Sequence, residues 1–128
     1  MTVYYLAGPM AGYPEHNHPA FHQAAEQLRK CGYTVVNPAE YGNLIVGWKQ
    51  CMKRDLHALL WCTDVIVLPG WEKSKGTQLE TYVARALHMP VHTYSMMLYA
   101  CRQQRTVEEC PHPPVHQPLS TSVFTGIH

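Results

Sequence analysis

The sequence predicts an α/β protein, a Rossmann-like or flavodoxin-like three-layer sandwich around a parallel sheet of four to five strands. Short β-branched apolar runs alternate with longer segments whose apolar residues recur at helical spacing. Gly-Pro, Asn-Pro and Pro-Gly breaks follow the strand-like runs. One run, Thr63 to Leu68, passes through Pro69-Gly70 and a loop of small and charged residues into a new helix, as a strand does when it feeds a helix N-terminus.

Val3-Tyr4-Tyr5-Leu6-Ala7 is apolar without alternation, as expected of a strand buried on both faces, and Gly8-Pro9 ends it. The loop from Met10 to His18 carries Gly12 and Pro14, which let backbone approach a ligand closely. From Pro19, residues Phe21, Ala24, Ala25 and Leu28 mark a first crossover helix that Cys31-Gly32 closes. Tyr33 to Val36 is a second strand, stopped by Asn37-Pro38. Ala39 to Gly47 has no period and reads as an irregular excursion. Trp48 to Trp61 is an amphipathic helix with Trp48, Met52, Leu56, Leu59 and Leu60 on its stripe and Asp55 beside that stripe. Asp64 to Leu68 is the third strand and Gly76 to His88 the third helix; Val91 to Tyr94 and Met96 to Val107 read as a last strand and helix. The α/β domain spans residues 1–110. Residues 111–128, with four prolines and few large apolar groups, form an extended tail.

With 128 residues, a net charge of +1 and 15% charged residues, the chain has the size of one domain and no basic field for a nucleic-acid polymer. Five cysteines without a Cys-x-x-Cys pair predict neither a disulfide framework nor a zinc knuckle and fit a reducing, cytoplasmic setting. The absence of a basic leader and of an apolar run of about 18 residues predicts no signal peptide and no membrane contact. His16, His18 and His22 are spaced like metal ligands, but no carboxylate or cysteine pattern accompanies them; they read as a polar loop and helix face, and no metal or cofactor is expected.

The parallel topology brings the carboxyl ends of the first and third strands together, and with them the Gly8–Gly12 loop and the turn from Ser74 to Glu80. Ser74 and Gly76 offer a hydroxyl and backbone amides at a helix start, where anions bind. Glu80 is expected in or next to the first helical turn, with the helix dipole favouring its ionised form. Thr77-x-x-Glu80 also fits a capping box, in which Glu80 only caps the helix.

Tyr5-Leu6-Ala7-Gly8-Pro9, Asp55-Leu56 and Ser74-x-Gly76-x-x-x-Glu80, in this order and spacing, resemble the nucleoside 2-deoxyribosyltransferase superfamily over residues 3–90. The run Gly70-Trp71-Glu72-Lys73-Ser74-x-Gly76 is similar to that of small, often phage-borne, deoxyribosyltransferase-like proteins, and the Ser-x-Gly-x-x-x-Glu pattern to that of nucleoside 5′-monophosphate N-glycosidases. The resemblance implies an enzyme that cleaves the base–sugar bond of a nucleoside or its 5′-monophosphate. Glu80 would attack C1′, Tyr5 would position Glu80, and Asp55 would bind a sugar hydroxyl or assist proton transfer to the base. Gly8, Pro9 and Gly12 would admit the nucleotide, and Ser74 and Gly76 would hold its phosphate; Trp71 is placed to stack on the base or cap the core, and the family-like Gly70-Trp71 run does not decide between the two.

The resemblance also implies a homodimer. The hydrolases place an arginine in the first glycine loop where this chain has Met10 and Ala11, which leaves Lys73 or Lys75 to substitute. The Pro-rich tail does not match the C-terminal region that the transferases use at the base, so hydrolysis is favoured over transfer. Two further readings remain: a protein that sequesters a nucleotide-derived signal in the same pocket, and an inactive structural subunit, which a closed site without a pocket between Gly8 and Glu80 would support.

Overall fold

The structure is a computed structural model that describes residues 1–42 and 47–109. The predicted tail, 111–128, and residues 43–46 of the predicted excursion lie outside the described residues. Four strands, β1 (Val3–Ala7), β2 (Thr34–Val36), β3 (Asp64–Val67) and β4 (Val91–Thr93), form one parallel sheet in the order β2-β1-β3-β4. The helices are α1 (His18–Lys30), α2 (Trp48–Leu59), α3 (Lys75–Ala86) and α4 (Tyr94–Glu109). The order reverses between β1 and β3, which pair through Tyr5–Val65 and Ala7–Val67, so the crevice of this α/β sheet opens above those two strands.

Side chains along β1 and β3 alternate between two cores, as the period of two in a strand dictates. Leu6 and Ile66 meet Phe21, Ala24 and Leu28 of α1 and Met97 of α4. Tyr5, Ala7, Val65 and Val67 meet Leu59 of α2 and Ala84 of α3. The sheet therefore lies between an α1/α4 layer and an α2/α3 layer. Among the described residues no helix is long and apolar enough to cross a membrane.

The cysteine pattern indicated no disulfide framework, yet one disulfide is present. Cys31, just after α1, is bonded to Cys101 of α4, with 5.9 Å between their Cα atoms and 70 residues between them in sequence. No short motif encodes such a pair, because α4 meets the end of α1 only through the tertiary fold. A disulfide also runs against the reducing setting that the cysteine pattern suggested.

Candidate functional site

A cavity of about 680 Å³ opens at the switch point of the sheet. It is bounded by the end of β1 and its following loop, by α2 from Trp48 to Asp55, and by the N-terminal half of α3. The two predicted loops do meet. Leu68 N–H donates to the carbonyl of Ala7 at 2.8 Å, and a Cβ added at Gly70 would lie 3.0 Å from the Tyr13 hydroxyl and 3.4 Å from Pro9.

Tyr5 points from β1 toward α2 and α3 and is fully buried. Its hydroxyl donates to Glu80 Oε2 at 2.7 Å, in a buried bond between residues 75 apart in sequence. Burial, followed by the Glu80 and Asp55 carboxyls, holds the phenol well above its ordinary range, so Tyr5 remains a donor. Asp55 is also buried, at 7% exposure. Burial raises its carboxyl, and Arg54, whose Nε donates to Asp55 Oδ1 at 3.0 Å, pulls it back.

Two expectations about Glu80 change. Ser74 is the N-cap of α3, its hydroxyl oxygen accepting from Thr77 N–H at 3.2 Å, so Glu80 stands in the second turn, beyond reach of a capping box. There the helix terminus no longer controls its charge. Burial raises Glu80 to about 8, against the lowering effect of the Tyr5 bond and with a further increase from Asp55. Its surroundings therefore favour the protonated form of Glu80 rather than the ionised one that the sequence suggested.

Gly8, Pro9, Ser74 and Gly76 line the cavity. The missing side chain of Gly8 is needed for packing, since a Cβ there would lie 2.9 Å from Leu68 Cβ. Gly12 and Trp71 are not among the lining residues. Gly12 sits in the turn after Ala11, and Trp71 turns away onto the α2/α3 core with the Arg85 guanidinium 5.9 Å from its ring. Trp71 thus has the core-capping place that was the alternative to base stacking. The side chain of Trp71 belongs to the 3-10 turn Trp71–Lys73, and its direction could not be read from the flanking glycine alone.

Lys73 and Lys75 both line the cavity, and the Lys75 ammonium lies 4.5 Å over the ring of Trp48. Sequence reasoning missed Arg54, which also lines it; it lies off the apolar stripe of α2, and no motif marks it. It missed Thr77 as well. The Thr77 hydroxyl is the one buried side-chain polar atom without a hydrogen-bond partner among the described residues.

His16 and His18 stand at the cavity wall, their rings 5.9 Å apart, with His22 6.2 Å beyond His18 and 3.2 Å from Asn37 Nδ2. Burial and the neighbouring His16, His22 and Arg54 lower His18, which favours its neutral form. The loop that carries His16 and leads into α1 passes through three successive left-handed residues, Glu15, His16 and Asn17, with φ of 53, 53 and 61°. Such residues cost about 1 kcal/mol or more each, and the Asn17 amide bond to the Pro9 carbonyl, 2.8 Å, helps to hold the turn. Among the described residues no group of three or more His, Cys, Asp or Glu is arranged to hold a metal ion.

No curated protein matches the chain in sequence. Among solved structures, the chain is similar to the 2-deoxyribosyltransferase of the psychrotolerant bacterium Bacillus psychrosaccharolyticus, with a TM-score of 0.58 and 25% identity over 72% of this chain and 71% of that one. That likeness agrees with the parallel sheet and with the superfamily indicated by the Tyr5, Asp55 and Glu80 motifs. Residues 1–93 match the family described as a domain of unknown function, DUF4406. The chain is a member of the DUF4406 family, with the fold of the nucleoside 2-deoxyribosyltransferase superfamily.

Proposed function

We propose that the protein is an N-glycosidase that cleaves the base–sugar bond of a nucleoside or nucleoside 5′-monophosphate, with Glu80 as nucleophile. The observation that carries this reading is the buried 2.7 Å bond from Tyr5 to Glu80 on the floor of a cavity that Asp55 also lines. A carboxyl that only supported the fold would not need a phenol, a second buried carboxyl and a cavity around it.

In the first step a Glu80 carboxylate oxygen bonds to C1′ while the C1′–N bond breaks and its electron pair leaves with the base, which takes up a proton. In the second step water attacks C1′ and gives up a proton to solvent, which balances the one the base took up, while the ester bond breaks and Glu80 is released as a carboxylate. Tyr5 keeps one Glu80 oxygen fixed so that the other faces the sugar. Asp55 meets a sugar hydroxyl or the leaving base. The N-terminus of α3, with the Ser74 hydroxyl and the Gly76 amide, suits a 5′-phosphate, and Lys73 and Lys75 supply positive charge in place of a first-loop arginine. The carboxylate form is required for attack, so kcat/KM rises with pH toward about 8, where Glu80 ionises.

The experiment is incubation with a panel of nucleosides and 5′-monophosphates, followed by detection of free base. Glu80→Ala is expected to lose about 10³-fold or more; full turnover in that variant, or recovery of every ligand unchanged by the wild type, would sink the proposal. A second reading, 2-deoxyribosyl transfer, is favoured by the likeness to the Bacillus enzyme. It differs only in the second step, where a base nitrogen replaces water. Adding a second free base separates the two: transfer yields the exchanged nucleoside, hydrolysis the free sugar.

A further inference from the structure

The reading above leaves Asp55 with two possible roles, acceptor for a sugar hydroxyl or proton donor to the base. We propose that Arg54 is a positioning residue that fixes Asp55 as a charged acceptor for a sugar hydroxyl, and so takes it out of the role of proton donor. This rests on the proposed N-glycosidase reading, but the pairing itself is independent of it.

Neighbouring residues on a helix point about 100° apart and do not ordinarily face each other. Arg54 and Asp55 nevertheless pair, with Nε donating to Oδ1 at 3.0 Å. The guanidinium is held in that direction from a different element. Its Nη1 donates to the Gly42 carbonyl at 3.2 Å, and its plane lies 5.3 Å from the Tyr41 ring, both at the end of the 3-10 turn Pro38–Tyr41. A charged side chain bent back along its own helix and clamped by two residues of another segment is placed for its neighbour, not for solvent. The pair lines the cavity and is mostly buried, with the two side chains 22% and 10% exposed, where a charge-assisted bond is stronger than at the surface.

The groups that face Asp55 come from three other elements: Tyr5 of β1, Tyr41 of the 3-10 turn and Glu80 of α3, with His18 of α1 near Arg54. Of these, Tyr5 and Tyr41 are both raised and remain neutral, His18 is lowered, and Glu80 is raised by its own burial. Arg54 is therefore the cation set against Asp55. Burial raises both carboxyls, but only Asp55 has a cation beside it, so Asp55 gives up its proton before Glu80 and the two divide their roles. A charged carboxylate with one oxygen on Arg54 has acceptor sites left for a hydroxyl.

The test has two arms. In the resting protein, carbon-13 NMR of the side-chain carboxyls is expected to show Asp55 losing its proton before Glu80 as pH rises, and Arg54→Met is expected to move Asp55 upward by about one unit or more, the size of effect that an adjacent opposite charge has. Arg54→Lys, which keeps the charge but not the fork, is expected to fall between the two. Glu80 titrating first, or Asp55 unmoved in both variants, overturns the pairing whatever the protein catalyses.

In turnover, Asp55→Asn and Arg54→Met are each expected to raise KM tenfold or more for a substrate with the full set of sugar hydroxyls. They are expected to have at most a twofold effect on an analogue that lacks the contacted hydroxyl. A 7-methylpurine nucleoside, whose base leaves without needing a proton, should be as sensitive to Asp55→Asn as the ordinary purine. Loss of that sensitivity would mean that Asp55 is the proton donor and would overturn the assignment. Absence of any turnover in the wild type would instead count against the glycosidase reading and leave the NMR arm to decide the pairing.

Discussion

The two faces of the sheet are built on different principles. On the α1/α4 face, Leu6, Phe21, Leu28, Ile66 and Met97 form an apolar layer that a disulfide ties across its outer side. On the α2/α3 face, Asp55, Thr77, Glu80 and Thr81 are all buried, and the Thr77 hydroxyl has no hydrogen-bond partner among the described residues. Tyr5 and Leu6, adjacent in β1, face opposite ways and belong to these two different worlds. The difference teaches that one face contributes stability while the other tolerates the desolvation of polar groups that the proposed chemistry needs. Changes on the first face should alter stability and leave the site alone, whereas changes on the second should trade one against the other.

The largest effect is expected at the disulfide. Closing a loop of this length restricts the unfolded chain by about 4 kcal/mol. Cys101→Ser, or reduction of the wild type, should therefore lower unfolding stability by up to that amount in urea titrations, with unchanged turnover per folded molecule. An unchanged midpoint would mean that the crosslink contributes nothing, and a changed turnover in the folded variant would mean that the two faces are coupled.

Next in size is the pH dependence that Glu80 imposes. Its carboxyl lies near 4.5 in an unfolded chain and at about 8 in the folded one, so the folded state holds the extra proton between those values. That contribution is intact below about 4.5, is lost as pH rises, and is gone above about 8. Glu80→Gln keeps an acceptor for Tyr5 and removes the titration. The variant and wild type should be nearly equal in stability at pH 5, with the variant ahead by roughly 2–4 kcal/mol at pH 9. A constant difference across that range would show that Glu80 is ionised in the folded protein throughout.

Tyr5→Phe probes the same carboxyl from the other side. The bond from Tyr5 lowers Glu80, so its loss should move the rise in kcat/KM to higher pH and reduce activity at pH 7 by about 10- to 100-fold. A uniform loss at every pH, with no displacement of the profile, would assign Tyr5 to packing instead.

Much of this arrangement was legible in the sequence because it follows from local pattern and topology. The period of apolar residues placed all four strands to within one residue at each end, and the order of β1 and β3 brought Tyr5 to Glu80 across 75 residues. What could not be read depends on direction or on distant partners. Ser74 and Thr77 are both good caps three residues apart, and only the true helix start decides which of them acts and how far along Glu80 stands. The role of Arg54 could not be read because its partner on α2 is an immediate neighbour, a spacing that helix geometry disfavours. Cys31 and Cys101 pair only because α4 returns to the end of α1.

The smallest predicted effect isolates the cost of the polar face most directly. Thr77 is 1% exposed, and its hydroxyl has no hydrogen-bond partner among the described residues, a deficit worth about 1–3 kcal/mol when such a group loses water. Valine has nearly the same shape and helix preference and no hydroxyl, so Thr77→Val should stabilise the protein by about 1 kcal/mol. A substitution of equal size on the α1/α4 face, such as Val35→Thr, should do the reverse, because it introduces the unpaired hydroxyl that Thr77 already carries. Destabilisation by Thr77→Val would mean that the hydroxyl has found a partner, and the contrast between the two faces would then rest on Glu80 and Asp55 alone. If the variant is stabilised and its KM rises, the unmet hydroxyl is held in reserve for the substrate, and the polar face is strained where it must bind.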